Sequence, residues 1–189
     1  PPPPPPPLLF FLLFRRPPRS TPLFSSEASD LYMRQVFGRY ILCWGVGFFQ
    51  KNAHVTRFVS WHQDSAYWTS VSPSALVSCW TALDDATEEN GCVRMLPGSY
   101  KKGLWPHDRR DFLHAQGVDA SKATSVVLEA GGCSFHHSLT VHGSFENKTP
   151  HRRRGLVTSY MRSDSQWLGD TKNKPDFPLV RGQEYANCV

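Results

Sequence analysis

The chain has 189 residues, of which 40% are hydrophobic and 20% are charged. This composition is typical of a soluble globular domain with its own core, and it excludes a chain that is disordered throughout. The formal net charge is +5, but the excess basic residues lie in local clusters at residues 15–16 and 152–154 without a nucleic-acid motif, so we expect an anionic small molecule as the partner and no nucleic acid.

The chain begins with a segment that differs from the rest. Ten of the sixteen prolines lie in the first 22 residues, and the stretch has neither helical nor strand periodicity, so we predict that residues 1–44 are irregular and lie outside the core. We favour a fragment or a mistaken gene start; a polyproline arm for an SH3-type partner and a targeting segment are alternatives. The apolar run at residues 8–14 is far shorter than the roughly 20 residues of a membrane span, so no span is expected.

From about Trp44 onward the pattern is typical of short strands separated by turns, which predicts an all-β sandwich or barrel. We predict strands at residues 57–61, 75–83, 92–96, 125–128, 133–136 and 154–161, and turns at residues 84–91, 97–99 and 130–132. Residues 109–116 are predicted to form one short helix. We expect one domain over residues 45–166, followed by an irregular tail over residues 167–189.

A His and an Asp two residues apart stand at the end of the first predicted strand. Because side chains alternate along a strand, His62 and Asp64 leave the same face and could bind one metal ion. The third ligand must come from a distant strand. His142 is the natural candidate, because it follows a β-rich segment, precedes a turn-forming Gly-Ser and stands eleven residues before Arg153.

Two histidines and one carboxylate form the facial triad that suits Fe(II) and leaves coordination positions open. An anionic co-substrate on that iron needs a cation at its far end, and the planar fork of Arg153 could supply it. The residues alone leave alternatives open. His136 or His137 could be the ligand instead of His142, His142 could be a core histidine, and residues 152–154 could be a solvated charge run.

The cysteines bear on the cellular setting. Their number is odd, and no two of them form a C-x-x-C pair, which argues against a disulfide framework and against a zinc knuckle. We therefore expect reduced thiols and an intracellular, cytoplasmic protein. The five positions are Cys43, Cys79, Cys92, Cys133 and Cys188.

Four ordered blocks resemble the phytanoyl-CoA dioxygenase-like family of Fe(II)/2-oxoglutarate oxygenases. The blocks are Trp61-His62-Gln63-Asp64, residues 80–92, Pro97-Gly98-Ser99-Tyr100, and residues 142–149 followed by Arg152-Arg153. The resemblance covers residues 61–160 and implies a mainly β double-stranded β-helix, a cupin-like jelly roll with few short helices. Family members normally have a longer N-terminal portion, which implies that this chain is truncated there.

The resemblance also implies a site. It makes His62, Asp64 and His142 the iron ligands and Arg153 the partner of the distal carboxylate of 2-oxoglutarate. Ser144 would donate a hydrogen bond to the same carboxylate.

Four further residues near these motifs are candidates for contacting small molecules. Trp80 occupies the place of a Trp that the family uses near the co-substrate, although a core role is an alternative. Gln63 stands between two ligands and could orient co-substrate or substrate. Tyr67 and Trp68 follow the ligand turn and are candidates for lining the substrate pocket, again with a core role as the alternative.

The implied activity is that of a dioxygenase that uses Fe(II), 2-oxoglutarate and O2 to hydroxylate a small organic substrate, with release of succinate and CO2. Related halogenases carry a small residue at the carboxylate position, so Asp64 argues against halogenation.

A non-catalytic jelly roll that binds a small molecule is one alternative to this activity. A zinc hydrolase is another, but the H-E-x-x-H helix is missing. Asp84 and Asp85 are interpreted as turn residues rather than as an acid/base pair.

Overall fold

The computed structural model describes residues 12–14, 40–72, 76–109, 112–183 and 188. The strands in this part are β1 (Leu12–Phe14), β2 (Ile41–Lys51), β3 (Val59–His62), β4 (Val71–Ser72), β5 (Val77–Ala82), β6 (Val93–Met95), β7 (His107–Arg109), β8 (Leu113–Ala115), β9 (Thr124–Val126), β10 (Cys133–His137), β11 (His142–Ser144), β12 (Arg153–Arg162), β13 (Gln166–Trp167) and β14 (Leu179–Arg181). The helical elements described are short 3-10 turns at Asp64–Ala66, Ser99–Lys102, Ala120–Lys122 and Thr171–Asn173. No helix within the described ranges is long and apolar enough to cross a membrane.

Two antiparallel sheets form the frame of the molecule. The larger has six strands in the order β1-β10-β5-β12-β2-β14, and the smaller has four in the order β3-β11-β6-β9. Two-stranded ribbons, β13-β4 and β7-β8, lie beside them. This arrangement confirms the predicted fold class, a mainly β jelly roll with few short helices.

The core between the two sheets follows from the alternation of side chains along the strands. On β5 the inward residues include Trp80 and Ala82, which are 4% and 0% exposed, and they pack against Met95 of β6 and Val126 of β9. Burial of this apolar surface stabilises the contact between the sheets by roughly 25 cal/mol per Å². The same inward face carries the polar residues of the candidate site.

Five of the six predicted strands agree with the structure to within two residues at each end. The sixth, predicted at residues 75–83, corresponds to β5, and its first predicted residue lies outside the described ranges. The helix predicted at residues 109–116 is wrong. β7 and β8 form a hairpin there, with His107 opposite Ala115, and residues 110–111 are not among those described. The hairpin is held by a distant contact, because Ser60 of β3 donates a hydrogen bond to the Leu113 carbonyl at 2.9 Å. A contact between residues so far apart in the chain cannot be predicted from the local pattern of hydrophobic residues.

The core extends beyond both of the boundaries expected from sequence. β2 starts at Ile41, and Ile41 and Leu42 are 1% and 0% exposed. At the other end, Phe177 is 6% exposed and packs in the same cluster as Leu42, and β14 pairs with β2. Glycines at residues 45 and 47 interrupt the alternation of β2 and concealed this long strand. Residues 1–11 and 15–39, on which most of the N-terminal prediction falls, lie outside the described residues.

Candidate metal centre

Strand pairing brings the two predicted histidine ligands together. His142 of β11 lies directly opposite His62 of β3, and the centres of the two imidazole rings are 4.3 Å apart. Asp64 opens the 3-10 turn that follows β3, and its Oδ1 lies near Nε2 of both histidines. One donor atom from each of the three residues lies within 4.8 Å of the others, so a single ion could contact all three.

Backbone carbonyls orient both imidazoles. The carbonyl of Ser60 lies 2.7 Å from Nδ1 of His62, and the carbonyl of Thr140 lies 2.9 Å from Nδ1 of His142. A carbonyl can only accept, so each Nδ1 carries the proton and each Nε2 keeps its lone pair. Both Nε2 atoms lie 3.6 Å from the same oxygen of Asp64, Oδ1. This is the orientation in which histidines bind a metal while a second contact holds the ring.

The charges at this site suit a divalent cation. Burial, together with the neighbouring His62, lowers the pKa of His142 to about 3, so its imidazole is neutral at physiological pH. Burial opposes ionisation of Asp64, but the surrounding imidazoles outweigh it and hold the pKa of this carboxyl well below its usual range. Burial also opposes protonation of His62, and the contacts with Asp64 outweigh it and raise the pKa of His62. Two nitrogen donors and one anionic oxygen fit Fe(II) and leave coordination positions free.

The three consecutive arginines have different surroundings. Arg152 is exposed and Arg154 forms a forked ion pair with Asp84, at 2.8 and 2.6 Å. Arg153 points inward, is 3% exposed, and its guanidinium lies 5.3 Å from the centre of the Trp80 ring. The residue that the sequence singled out is therefore the one that faces the interior.

Arg153 keeps hydrogen-bonding capacity inside the barrel. Its Nη2 donates to the carbonyl of Gly91, whereas its Nε finds no acceptor among the described residues. Burial lowers the pKa of Arg153 to about 10, so the group stays charged at neutral pH. Lys51, directly opposite Arg153 on β2, is also buried and donates to the carbonyls of Arg57 and Phe145. Among the described residues, no carboxylate forms an ion pair with either cation. Buried cations are normally paired, so this pair of charges favours an anion.

The remaining predicted residues divide between the site and the surrounding scaffold. Ser144 follows His142 by two residues on β11 and is 7% exposed. The ring of Tyr67 meets that of His62 edge-on at 5.8 Å and is 46% exposed, so it lies at the mouth of the site. Trp68 packs with Trp44, 5.8 Å away, in a separate hydrophobic cluster.

Gln63 is held by loops rather than aimed at the ligands. Its side chain is 0% exposed, and Nε2 donates to the carbonyls of Gly103 and Leu139 at 2.9 and 2.6 Å. Its Oε1 accepts from the backbone N–H of Trp105 at 2.7 Å. The side-chain amide of Gln63 therefore links the loops that contain residues 103–105 and 139.

The two alternative histidines of β10 have separate surroundings. His137 stacks on Tyr100 at 5.8 Å. His136 points into the site, with Nε2 3.5 Å from Oδ2 of Asp64. Ser78 of β5 donates to the same oxygen at 2.9 Å. Ser78 belongs to no motif, and its only signal in the sequence is an inward position on a predicted strand.

Asp84 and Asp85 serve the turn, as interpreted from sequence. Asp84 binds Arg154, and Oδ1 of Asp85 accepts from the backbone N–H of Ala130 at 2.7 Å. Neither carboxylate is free to act as half of an acid/base pair.

Comparisons with known proteins place the chain among its relatives. The family model for phytanoyl-CoA dioxygenase (PhyH) matches residues 9–155. The human protein named phytanoyl-CoA dioxygenase, peroxisomal, is 34% identical over 117 residues, which cover 57% of this chain and 34% of that protein. The chain thus spans about a third of the length of this curated relative.

Solved structures share the fold. The non-heme monooxygenase ThoJ in its apo form superposes with a TM-score of 0.77 at 27% identity, covering 86% of this chain and 61% of ThoJ. EvdO2 from Micromonospora carbonacea var. aurantiaca, complexed with 2-oxoglutarate, superposes with a TM-score of 0.57 at 30% identity, covering 66% of this chain and 55% of EvdO2. Because the family model spans all three candidate ligands and most of the described core, the chain belongs to the phytanoyl-CoA dioxygenase family.

Proposed function

We propose that the chain is a non-haem iron dioxygenase that hydroxylates a small organic substrate, with 2-oxoglutarate and O2 as co-substrates and succinate and CO2 as products. The observation that carries the proposal is the convergence of His62, Asp64 and His142 within reach of one ion. The solved relative named as complexed with 2-oxoglutarate supports the choice of co-substrate.

In this proposal His62, Asp64 and His142 hold Fe(II). Bound there, the metal supplies the redox chemistry that couples breakdown of 2-oxoglutarate to oxidation of the substrate. The chain contributes orientation, because the carbonyls of Ser60 and Thr140 fix the imidazole rings. It also contributes charge, because Asp64 is ionised and His142 is neutral at physiological pH.

Arg153 and Ser144 receive the distal carboxylate of 2-oxoglutarate. Burial removes competing water from around Arg153, and Trp80 supports the flat face of the guanidinium. Nε has no acceptor among the residues that the structure describes, which leaves a donor for a carboxylate oxygen. Trp80 therefore acts by positioning Arg153, while Gln63 supports the loops and is not proposed to touch the co-substrate.

The substrate enters at Tyr67. This residue is half exposed and borders His62, and the backbone N–H of Leu113 donates to its hydroxyl at 3.1 Å. Trp68 packs in a hydrophobic cluster instead, and we assign it to the core. Asp64 occupies the carboxylate position, which supports hydroxylation rather than halogenation.

The proposed setting is intracellular and reducing. All five cysteines are free in the structure, which is typical of proteins in compartments that keep thiols reduced. The proposed partner is a small molecule rather than a nucleic acid.

Anaerobic addition of Fe(II) and 2-oxoglutarate should produce a weak visible charge-transfer band, and Zn(II) should produce none. On admission of air the protein should release succinate. His62→Ala and His142→Ala should lose both signals, whereas His151→Ala, an exposed control, should keep them. Succinate formation unchanged in either ligand variant would refute the assignment, and a normal band without succinate would favour the non-catalytic binding protein.

A further inference from the structure

We infer that His136 is a positioning residue that holds the Asp64 carboxylate so that only one of its oxygens faces the metal. The inference rests on the proposed metal site and adds a residue to which the family resemblance assigned no role. The observation behind it is a buried imidazole that faces a ligand and has no other described partner.

A row of polar side chains crosses the inner face of the larger sheet. His136 of β10 lies opposite Ser78 of β5, and Ser78 lies opposite Ser159 of β12. All three are nearly inaccessible, at 2%, 0% and 3% exposed. The hydroxyls of Ser78 and Ser159 are 3.1 Å apart, and Ser78 donates to Oδ2 of Asp64 at 2.9 Å.

The two oxygens of Asp64 therefore have different neighbours. Oδ1 faces Nε2 of His62 and of His142, at 3.6 Å in each case. Oδ2 accepts from Ser78 and faces Nε2 of His136 at 3.5 Å. Because Oδ2 accepts from Ser78 and faces His136, Oδ1 is the oxygen left to face an ion held by the two imidazoles. The remaining coordination positions then stay free for co-substrates.

The surroundings of His136 favour the tautomer that carries its proton on Nε2. Neither ring nitrogen has a hydrogen-bond partner within ordinary distance among the described residues, and the Asp64 carboxylate is the charged acceptor that faces the ring. The ring centre also lies 4.7 Å from that of His142. His136 falls outside the group of residues whose donor atoms lie within 4.8 Å of one another, so it borders the candidate ligands without belonging to the set.

Co(II) binding to the whole chain tests the inference without turnover. His136→Phe keeps a ring and removes the donor, so it should weaken Co(II) affinity about 10- to 100-fold, the usual effect of removing a partner of a metal ligand. His136→Gln offers an amide N–H at a similar reach and should bind Co(II) with an affinity close to that of the wild type. His151→Phe removes an exposed histidine and should leave Co(II) affinity unchanged.

The outcomes separate this inference from the proposed function. If His62→Ala binds Co(II) as the wild type does, the metal site itself is refuted. If His62→Ala loses Co(II) while His136→Phe keeps it, only the positioning role is refuted. Loss of affinity in His136→Gln together with a changed Co(II) visible spectrum would also overturn the inference, because it would show direct ligation.

A measurement on the wild type keeps the test valid if His136→Phe does not fold. In the Zn(II)-loaded protein, imidazole nitrogen NMR should show His62 and His142 bound through Nε2 and His136 protonated at Nε2 without a bound metal. A metal-bound or deprotonated Nε2 on His136 would overturn the inference.

Discussion

Replacing Arg153 tests the co-substrate end of the proposed site. The guanidinium is 3% exposed and stacks on Trp80, so a carboxylate bound to it is screened little by water. A charge-assisted hydrogen bond contributes about 1.5–3 kcal/mol, which corresponds to roughly a 10- to 150-fold change in dissociation constant. Arg153→Met should weaken 2-oxoglutarate binding by that factor and leave Co(II) affinity almost unchanged.

The assay is calorimetric titration of 2-oxoglutarate into the Co(II)-loaded protein, which avoids turnover. Arg152→Met is the matched control, because it removes the same charge from an exposed neighbour. Arg153 also donates to the carbonyl of Gly91, so urea unfolding of the metal-free variant must show that the chain still folds. Equal 2-oxoglutarate affinity in the wild type and Arg153→Met would refute the assignment, as would an equal loss in both variants.

Two further predictions concern stability. A Cβ on residue 155 would lie 2.2 Å from Cζ2 of Trp80, so Gly155→Ala should lower the free energy of unfolding by about 1–3 kcal/mol. Gly45→Ala is the control, because a Cβ there meets no heavy atom within 4 Å. Equal urea midpoints for the two variants would contradict this prediction. Burial, with the charge of Arg153, lowers the pKa of Lys51 from 10.5 to about 8. Between these values the unfolded chain binds the proton and the folded chain does not, so stability should rise with pH. From pH 7 to 9.5 the free energy of unfolding of the wild type, measured in urea, should rise by about 2 kcal/mol more than that of Lys51→Met. If the free energies of unfolding of the two proteins changed in parallel with pH, the lowered pKa of Lys51 would be disproved.

Local pattern was sufficient to predict some of the strands and not others. Period-two alternation is a property of adjacent residues, so β3, β5, β6, β10 and β12 could be predicted nearly as they occur. The segment at residues 109–116 was mistaken for a helix because its hairpin depends on contact with β3. The glycines of β2 likewise obscured a strand whose stability comes from pairing with β12 and β14.

The sequence by itself determined which residue types are available and, within the predicted strands, which side chains share a face. The H-x-D spacing keeps Asp64 within two residues of His62, although Asp64 lies in the 3-10 turn after β3 and not on the strand, and the composition of the blocks indicates the family. No local rule could choose among His136, His137 and His142, or among three consecutive arginines.

Only the tertiary structure shows which of these side chains lie together. The register of β11 against β3 places His142 opposite His62, and the register of β10 against β5 directs His136 toward the far side of Asp64. Of the three consecutive arginines, Arg153 is the one that is buried. Register and burial depend on contacts between residues far apart in the chain, so they are set when the sheets pair and pack and cannot be read from adjacent residues.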